Sequence, residues 1–148
     1  MPSKDPIVLP SIATDDELVA APIDPADILE GTPQARERFM GFVDDSALTA
    51  TIWETTAGRF KWHYGPDELV TILEGEVEIT PPDGPSYTLR RGDVMFVPGG
   101  QILIFHVRVY MKKLAINAVR TPPLRRLATQ IPFARQVVRR LRSIRGRA

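Results

Sequence analysis

Short runs of alternating apolar and polar residues fill the middle of this 148-residue chain. They lie between about Phe39 and Val119, are rich in β-branched and aromatic residues, and are separated by turn signals such as Asp83-Gly84. Strands that recur about every 8 to 12 residues with such turns are typical of an antiparallel sandwich or barrel. The intervals leave no room for a crossover helix, so the pattern predicts an all-β, antiparallel domain.

The two ends of the chain follow other patterns. Residues 1–28 are rich in Pro, Asp and Ala, which predicts an irregular arm with at most short ordered pieces. Residues 121–148 combine arginines with apolar residues at spacings of four and three, which predicts a basic amphipathic helix. The apolar positions are Phe133, Val137, Leu141 and Ile144. The predicted domains are therefore an arm over 1–28, a β-barrel over 29–120 and a helical tail over 121–148.

The net charge of +1 hides a strong asymmetry. Residues 1–93 carry all 18 acids and 7 of the 19 basic residues, a net of −11, whereas residues 94–148 carry the other 12 basic residues. Such a split is typical of an interaction tail or of two parts that neutralise each other. The chain has no cysteine, which excludes disulfides, thiolate metal sites and cysteine nucleophiles. With no secretory signal pattern and no apolar run of membrane-spanning length, we expect a cytoplasmic protein.

Candidate chemistry is concentrated in the stretch GRFKWHYGPDELVTILEG, residues 58–75. It holds Lys61, His63 and Glu68 where a pair of strands could turn all three side chains into one cavity. Aromatic residues that could line the same pocket are Trp62, Tyr64, Trp53 and Phe105, although aromatic side chains in a small β-domain also serve as core.

Several pieces of the chain, in this order and spacing, resemble the cupin superfamily. Within it the chain is most similar to the ureidoglycine aminohydrolase-like and ethanolamine-utilisation cupins. The matching pieces are EGTP (30–33), WETTAGRFKWHYGPDELVTILEGEVEIT (53–80), DG (83–84), GDVMFVPGG (92–100) and KK (112–113). The resemblance implies a single antiparallel RmlC-like jelly-roll barrel and a homodimer. The exposed edges of a small β-fold also favour pairing.

Metal-binding cupins carry His-x-His, three or four residues, Glu, six residues and Gly in their first motif. Here Glu68 and Gly75 match, His63 takes the second histidine place, and Lys61 takes the first. The second motif places its histidine at Leu103. Only His63 and Glu68 remain as ligands, and two ligands would hold Mn, Fe, Ni or Zn weakly because a tight site needs three or four. No cofactor is therefore expected, with a weakly bound divalent metal as the alternative.

The loss of ligands suggests another role for Lys61. If its side chain points inward, its ammonium lies near Glu68, and the two should form an ion pair that replaces the metal cation. His63 would flank them, and the three residues are the catalytic candidates. His106 lies three residues after Leu103, an odd offset that turns it to the opposite face of a regular strand.

These features favour a small-molecule-binding cupin whose pocket, lined by Lys61, His63 and Glu68, holds a polar or carboxylate metabolite without a strong metal. The alternative is a cupin enzyme of aminohydrolase or similar type that uses a weakly held metal. A third hypothesis is a non-catalytic protein that acts through its basic tail. Docking of the tail is favoured over membrane contact through residues 130–148, and nucleic acid is not an expected partner.

Overall fold

The computed structural model describes residues 17–42 and 48–118. These residues form eight strands, and a short 3₁₀ turn at Pro25–Asp27 precedes the second. The strands are β1 Val19–Ala20, β2 Ile28–Glu30, β3 Ala35–Phe42, β4 Leu48–His63, β5 Asp67–Thr80, β6 Tyr87–Arg90, β7 Val94–Val97 and β8 Ile102–Ala118. The all-β prediction is confirmed. The predicted C-terminal helix lies outside the described residues.

All eight strands belong to one sheet, and every pair of neighbours is antiparallel. Their order is β1-β3-β4-β8-β5-β6, with β2 also on β4 and β7 also on β5. Within the described residues β1 and β6, at the two ends of this order, do not pair, so the sheet is not closed. The prediction of a β-barrel is corrected accordingly. In the described part of the chain the end strands β1 and β6 have two and four residues, and neither joins a further strand that would close the sheet.

Three strands, β4, β5 and β8, are 16, 14 and 17 residues long, which exceeds the short runs that the sequence pattern predicted. Turn signals such as Ala57-Gly58 and Gly75 mark irregularities inside continuous strands instead of strand ends. Gly75 has φ +69, and a Cβ placed there would collide with the carbonyl oxygen of Tyr110 on β8. Glycine therefore lets β5 change register without leaving its partner.

The core lies on one face of this sheet and joins residues from both halves of the long strands. Phe60 on β4 lies opposite Phe105 on β8, and their ring centroids are 5.6 Å apart. Both belong to the same buried cluster as Trp53, Ile72 and the other inward residues. Trp53 and Phe60 lie in the two halves of β4, yet their ring centroids are 6.1 Å apart, so the strand bends and the sheet folds over an inner face.

A second, smaller cluster is centred on Leu18 and Ile52. Leu18 comes from the predicted arm, whose described part also pairs β1 with β3. Arg38 on β3 holds this segment through a 2.7 Å ion pair with Glu17. Among the described residues, no helix is long and apolar enough to cross a membrane.

Candidate functional site

Nine residues at one end of the inner face form what we call the inner grid. They come from β5, β8 and β4, which lie side by side, so residues paired across the strands share a face. The three rows are Ile72–Lys113–Trp53, Val70–Ala115–Thr51 and Glu68–Asn117–Thr49. The first row combines Lys113 with two apolar residues, the third row is entirely polar, and the small Ala115 lies at the centre.

An ion pair lies buried in this grid. The Lys113 ammonium donates to Oε1 of Glu68 across 3.0 Å, and the two side chains are 2% and 9% exposed. Burying either charge alone would be very unfavourable, so each requires the other. Among the described residues this is the one hydrogen bond of the Lys113 ammonium.

Aromatic rings surround the same ammonium. Its Nζ lies 5.1 Å from the ring centroid of Trp62 and between 5.4 and 5.8 Å from three others. The other rings are those of Trp53, Phe105 and Tyr64. Ring faces attract a cation within about 6 Å, so the four rings form an aromatic box that attracts the Lys113 ammonium.

Three buried polar atoms have no hydrogen-bond partner within the described residues: the Tyr64 and Thr51 hydroxyls and Oδ1 of Asn117. Thr51 and Asn117 belong to the inner grid, and the Tyr64 ring is part of the aromatic box. Buried polar groups in native proteins nearly always have partners, so these three atoms are open to contact with water or with a polar ligand.

Tyr64 is held in its neutral form. Burial raises the pKa of its phenol, and the negative charge of Glu68 raises it further. The hydroxyl therefore keeps its proton and can donate a hydrogen bond as well as accept one.

Comparisons with known proteins agree with this architecture. The family model for the EutQ-like cupin domain matches residues 44–115. The chain is similar to the EutQ protein of Clostridium difficile, with 19% identity, a TM-score of 0.54, and coverage of 69% of this chain and 83% of that one. The chain belongs to the cupin superfamily. Within it the cupin resembles the ethanolamine-utilisation group, as predicted.

Two further solved structures are similar to this cupin. A protein of unknown function from Pseudomonas syringae pv. tomato is 26% identical, with a TM-score of 0.61 and coverage of 67% of this chain. The cupin spans 43% of that protein's length. The polyketide cyclase RemF from Streptomyces resistomycificus is 19% identical, with a TM-score of 0.56 and coverage of 76% and 82% of the two chains. No curated protein matches significantly.

The expectation that Lys61 faces Glu68 is wrong. The Lys61 side chain is exposed, because its neighbours Phe60 and Trp62 on β4 face the core and alternate residues of a strand face opposite sides. The partner of Glu68 is Lys113, from the KK pair on β8. The cation predicted beside Glu68 is therefore present but comes from another strand.

His63 also faces away from the inner grid. Its Nε2 lies 2.9 Å from Oδ1 of Asp27, and its side chain is 53% exposed. The structure does not bring His63 and Glu68 together as ligands. A three-residue interval before Glu68, which the motif also allows, places Tyr64 and Trp62 at the two histidine positions, and both belong to the aromatic box.

The residues present do not fit the metal site of metal-binding cupins. The inward residues at the four ligand positions are Trp62, Tyr64, Glu68 and Leu103, and the one carboxylate among them already binds the Lys113 ammonium. The described part of the chain contains no group of three His, Cys, Asp or Glu side chains that could hold an ion.

His106 lies on the outer face, as its odd offset from the buried Leu103 predicted. Its Nδ1 is 3.8 Å from Oε1 of Glu78, and Arg108 reaches the same carboxylate at 3.9 Å. With Glu76, Thr88 and Arg90 these residues line a shallow polar pocket on the surface. The charged side chains there already pair with one another, so the pocket is lined by surface ion pairs.

The sequence interpretation missed Lys113, Thr51 and Asn117. For Lys113 a signal existed: two adjacent lysines inside an apolar strand cannot both face outward, because alternate residues face opposite sides. Thr51 and Asn117 carry no comparable signal, since threonine and asparagine are ordinary in strands and turns. Trp62, Tyr64 and Phe105 lie inside, as a pocket role required, and their contact with a ligand stays a prediction.

Proposed function

We propose that this cupin binds a small polar metabolite on the inner grid, without a bound transition metal. The proposal rests on three buried polar atoms, on Tyr64, Thr51 and Asn117, that have no partner among residues 17–42 and 48–118 and lie around the buried Lys113–Glu68 pair. A buried polar group without a partner costs about 1–3 kcal/mol, so a guest that satisfies several such groups gains binding energy from each.

Ala115 supports a guest at this place. It stands at the centre of the inner grid, between Val70 and Thr51, and brings the smallest side chain of the nine. The polar row of Glu68 and Asn117 lies on one side of it and Lys113 on the other, and the Lys113 side chain reaches across to Glu68. A ligand above Ala115 would meet hydrogen-bonding groups from three strands, which is the usual arrangement of a small-molecule site.

Lys113 would take the place that a metal ion has in other cupins. It supplies a fixed positive charge next to the one carboxylate kept from the metal motif, Glu68. A tethered ammonium cannot dissociate or be chelated, so ligand binding would be independent of metal supply.

The experiment is a thermal-shift screen of small polar metabolites against the wild type and Ala115→Val. The larger side chain fills the centre of the inner grid, so compounds that raise the Tm of the wild type should not raise that of the variant. Val109→Leu is the matched control, because it also enlarges a β8 side chain, but one that is 80% exposed. The proposal fails if no compound stabilises the wild type, or if Ala115→Val responds equally.

A second candidate is an enzyme that performs acid–base chemistry at the same place. Glu68 can accept a proton, neutral Tyr64 can donate a hydrogen bond to a reacting oxygen, and Lys113 can stabilise negative charge beside them. RemF is a cyclase on a similar fold, but at 19% identity the likeness concerns the fold alone. Product analysis of any stabilising compound, with Glu68→Gln as the inactive variant, separates turnover from binding.

A further inference from the structure

The charges on the inner grid sum to zero. Of its nine residues, Lys113 and Glu68 are charged, and they already form an ion pair. The inward residues packed around them are aromatic, aliphatic or neutral polar side chains. A ligand with a net charge would therefore add a buried charge that no described residue compensates.

We infer that the ligand of the inner grid is an uncharged molecule with both hydrogen-bond donors and acceptors, such as a small hydroxy-amide. This inference rests on the proposed function and narrows its ligand to one chemical class. Burial of an uncompensated charge is far more unfavourable than burial of a neutral polar group that finds partners.

The partnerless atoms point to the same class independently of charge. Oδ1 of Asn117 is a pure acceptor and requires a donor on the ligand, whereas the Thr51 and Tyr64 hydroxyls can each donate or accept. A carboxylate group offers acceptors alone, so in a hydroxy acid the hydroxyl is the one group that can donate to Asn117. An amide or alcohol offers N–H or O–H together with an acceptor oxygen, so it can satisfy all three.

Attraction of a carboxylate by Lys113 does not reverse this conclusion. Glu68 lies 3.0 Å from the ammonium and already neutralises it. An incoming carboxylate would place two negative groups around one positive group in a buried site. Such binding requires a proton on one of the carboxyl groups, which an amide does not require.

The experiment compares matched pairs of probes by calorimetry and thermal shift: glycolamide with glycolate, lactamide with lactate, and succinamide with succinate. The wild type should bind the amide at least about tenfold more tightly than the carboxylate, a difference of about 1.4 kcal/mol. Glu68→Gln leaves the Lys113 charge uncompensated, so the preference should reverse toward the carboxylate. Thr51→Val removes a hydroxyl without changing charge and should weaken both probes while keeping the preference for the amide.

The outcomes separate the two proposals. Binding of carboxylates by the wild type as tightly as amides, with loss in Ala115→Val, would keep the site and overturn the neutral ligand. Failure of every probe to bind, together with a negative metabolite screen, would overturn the site itself. If Glu68→Gln does not fold, as judged by circular dichroism, the amide-to-carboxylate ratio of the wild type decides the question.

Discussion

Lys112 and Lys113 are neighbours on β8, and both are buried, but their ammonium groups lie on opposite faces of the sheet. Lys113 pairs with Glu68 on the inner face. Lys112 lies 3.8 Å from Oε2 of Glu54 and 3.8 Å from Oε1 of Glu74 on the other face. The same Glu54 oxygen accepts a 2.7 Å hydrogen bond from the Tyr110 hydroxyl. One adjacent pair therefore serves two separate buried networks.

The Lys113–Glu68 pair should show strong coupling in stability. Lys113→Met or Glu68→Gln alone leaves one buried charge uncompensated and should lower the free energy of unfolding by about 3–5 kcal/mol. The double variant should lose much less than the sum, because neither charge then remains. Urea unfolding of the four proteins measures this cycle. Lys61→Met, at an exposed position, should change stability by about 0.5 kcal/mol or less. Additive losses would contradict the pairing.

Tyr64→Phe should leave the stability of the ligand-free protein unchanged or slightly raised. The variant keeps the ring against Lys113 and removes a buried hydroxyl that has no partner among the described residues. Thermal unfolding checks this, and the same variant should weaken binding of a stabilising ligand. A loss of stability above about 1 kcal/mol would mean that the hydroxyl has a partner in the free protein.

Alkaline pH should destabilise the fold through Tyr64. Its pKa in the folded protein lies above the ordinary value of 10.0, so above that pH the unfolded chain releases a proton that the folded protein retains. The unfolded state then binds fewer protons, and stability falls as pH rises. Urea titrations between about pH 8 and 11 should show this slope in the wild type but a weaker one in Tyr64→Phe. Tyr87→Phe, which removes an exposed hydroxyl, should behave like the wild type.

Metal loading should not depend on His63. We expect elemental mass spectrometry after incubation with Mn, Fe, Ni or Zn to give well below one equivalent, and the same value for His63→Ala. His63→Ala should lower stability by about 1 kcal/mol or less, since its bond to Asp27 is at the surface. Stoichiometric metal that disappears in this variant would restore the site predicted from the sequence.

Gly75→Ala should be among the most destabilising single changes in the sheet. A methyl group there meets the backbone carbonyl of Tyr110, and the positive φ is unfavourable for alanine, so we expect a loss above about 3 kcal/mol. Gly92→Ala is the matched control, because Gly92 also has a positive φ but no atom within 4 Å of the new Cβ. It should cost about 1 kcal/mol. Equal losses would contradict the close approach of β5 and β8.

The sequence predicted the all-β fold class, and two of the residues that it singled out, Glu68 and Trp53, lie in the inner grid. Glu68 could be identified because its spacing to Gly75 follows a motif, and the alternating pattern places it on the core side. The motif allows three or four residues before Glu68. The four-residue interval was predicted because it places His63 at a ligand position, but the structure follows the three-residue interval, which places Tyr64 there. Trp62 and Tyr64 occupy the inward positions because the larger apolar rings gain more from burial than Lys61 and His63 would.

Other features could not be read from a one-dimensional pattern. Thr51 and Asn117 come together with Glu68 through the lateral pairing of β4, β8 and β5, and register between strands distant in sequence is not encoded in local periodicity. The glycines at 58 and 75 are equally suited to turns and to bulges, so strand continuity depended on tertiary pairing.

The position of β8 has a consequence for the order of folding. This strand is the last of the eight in sequence, yet it lies between β4 and β5 in the sheet. A nascent chain that ends before Ile102 has no strand to join β4 to β5, and the buried ring of Phe60 has no Phe105 to pack on. Folding to the native sheet therefore waits until synthesis has passed Ala118, and the dominance of long-range pairings makes the subsequent step slow in comparison with helical proteins of this size.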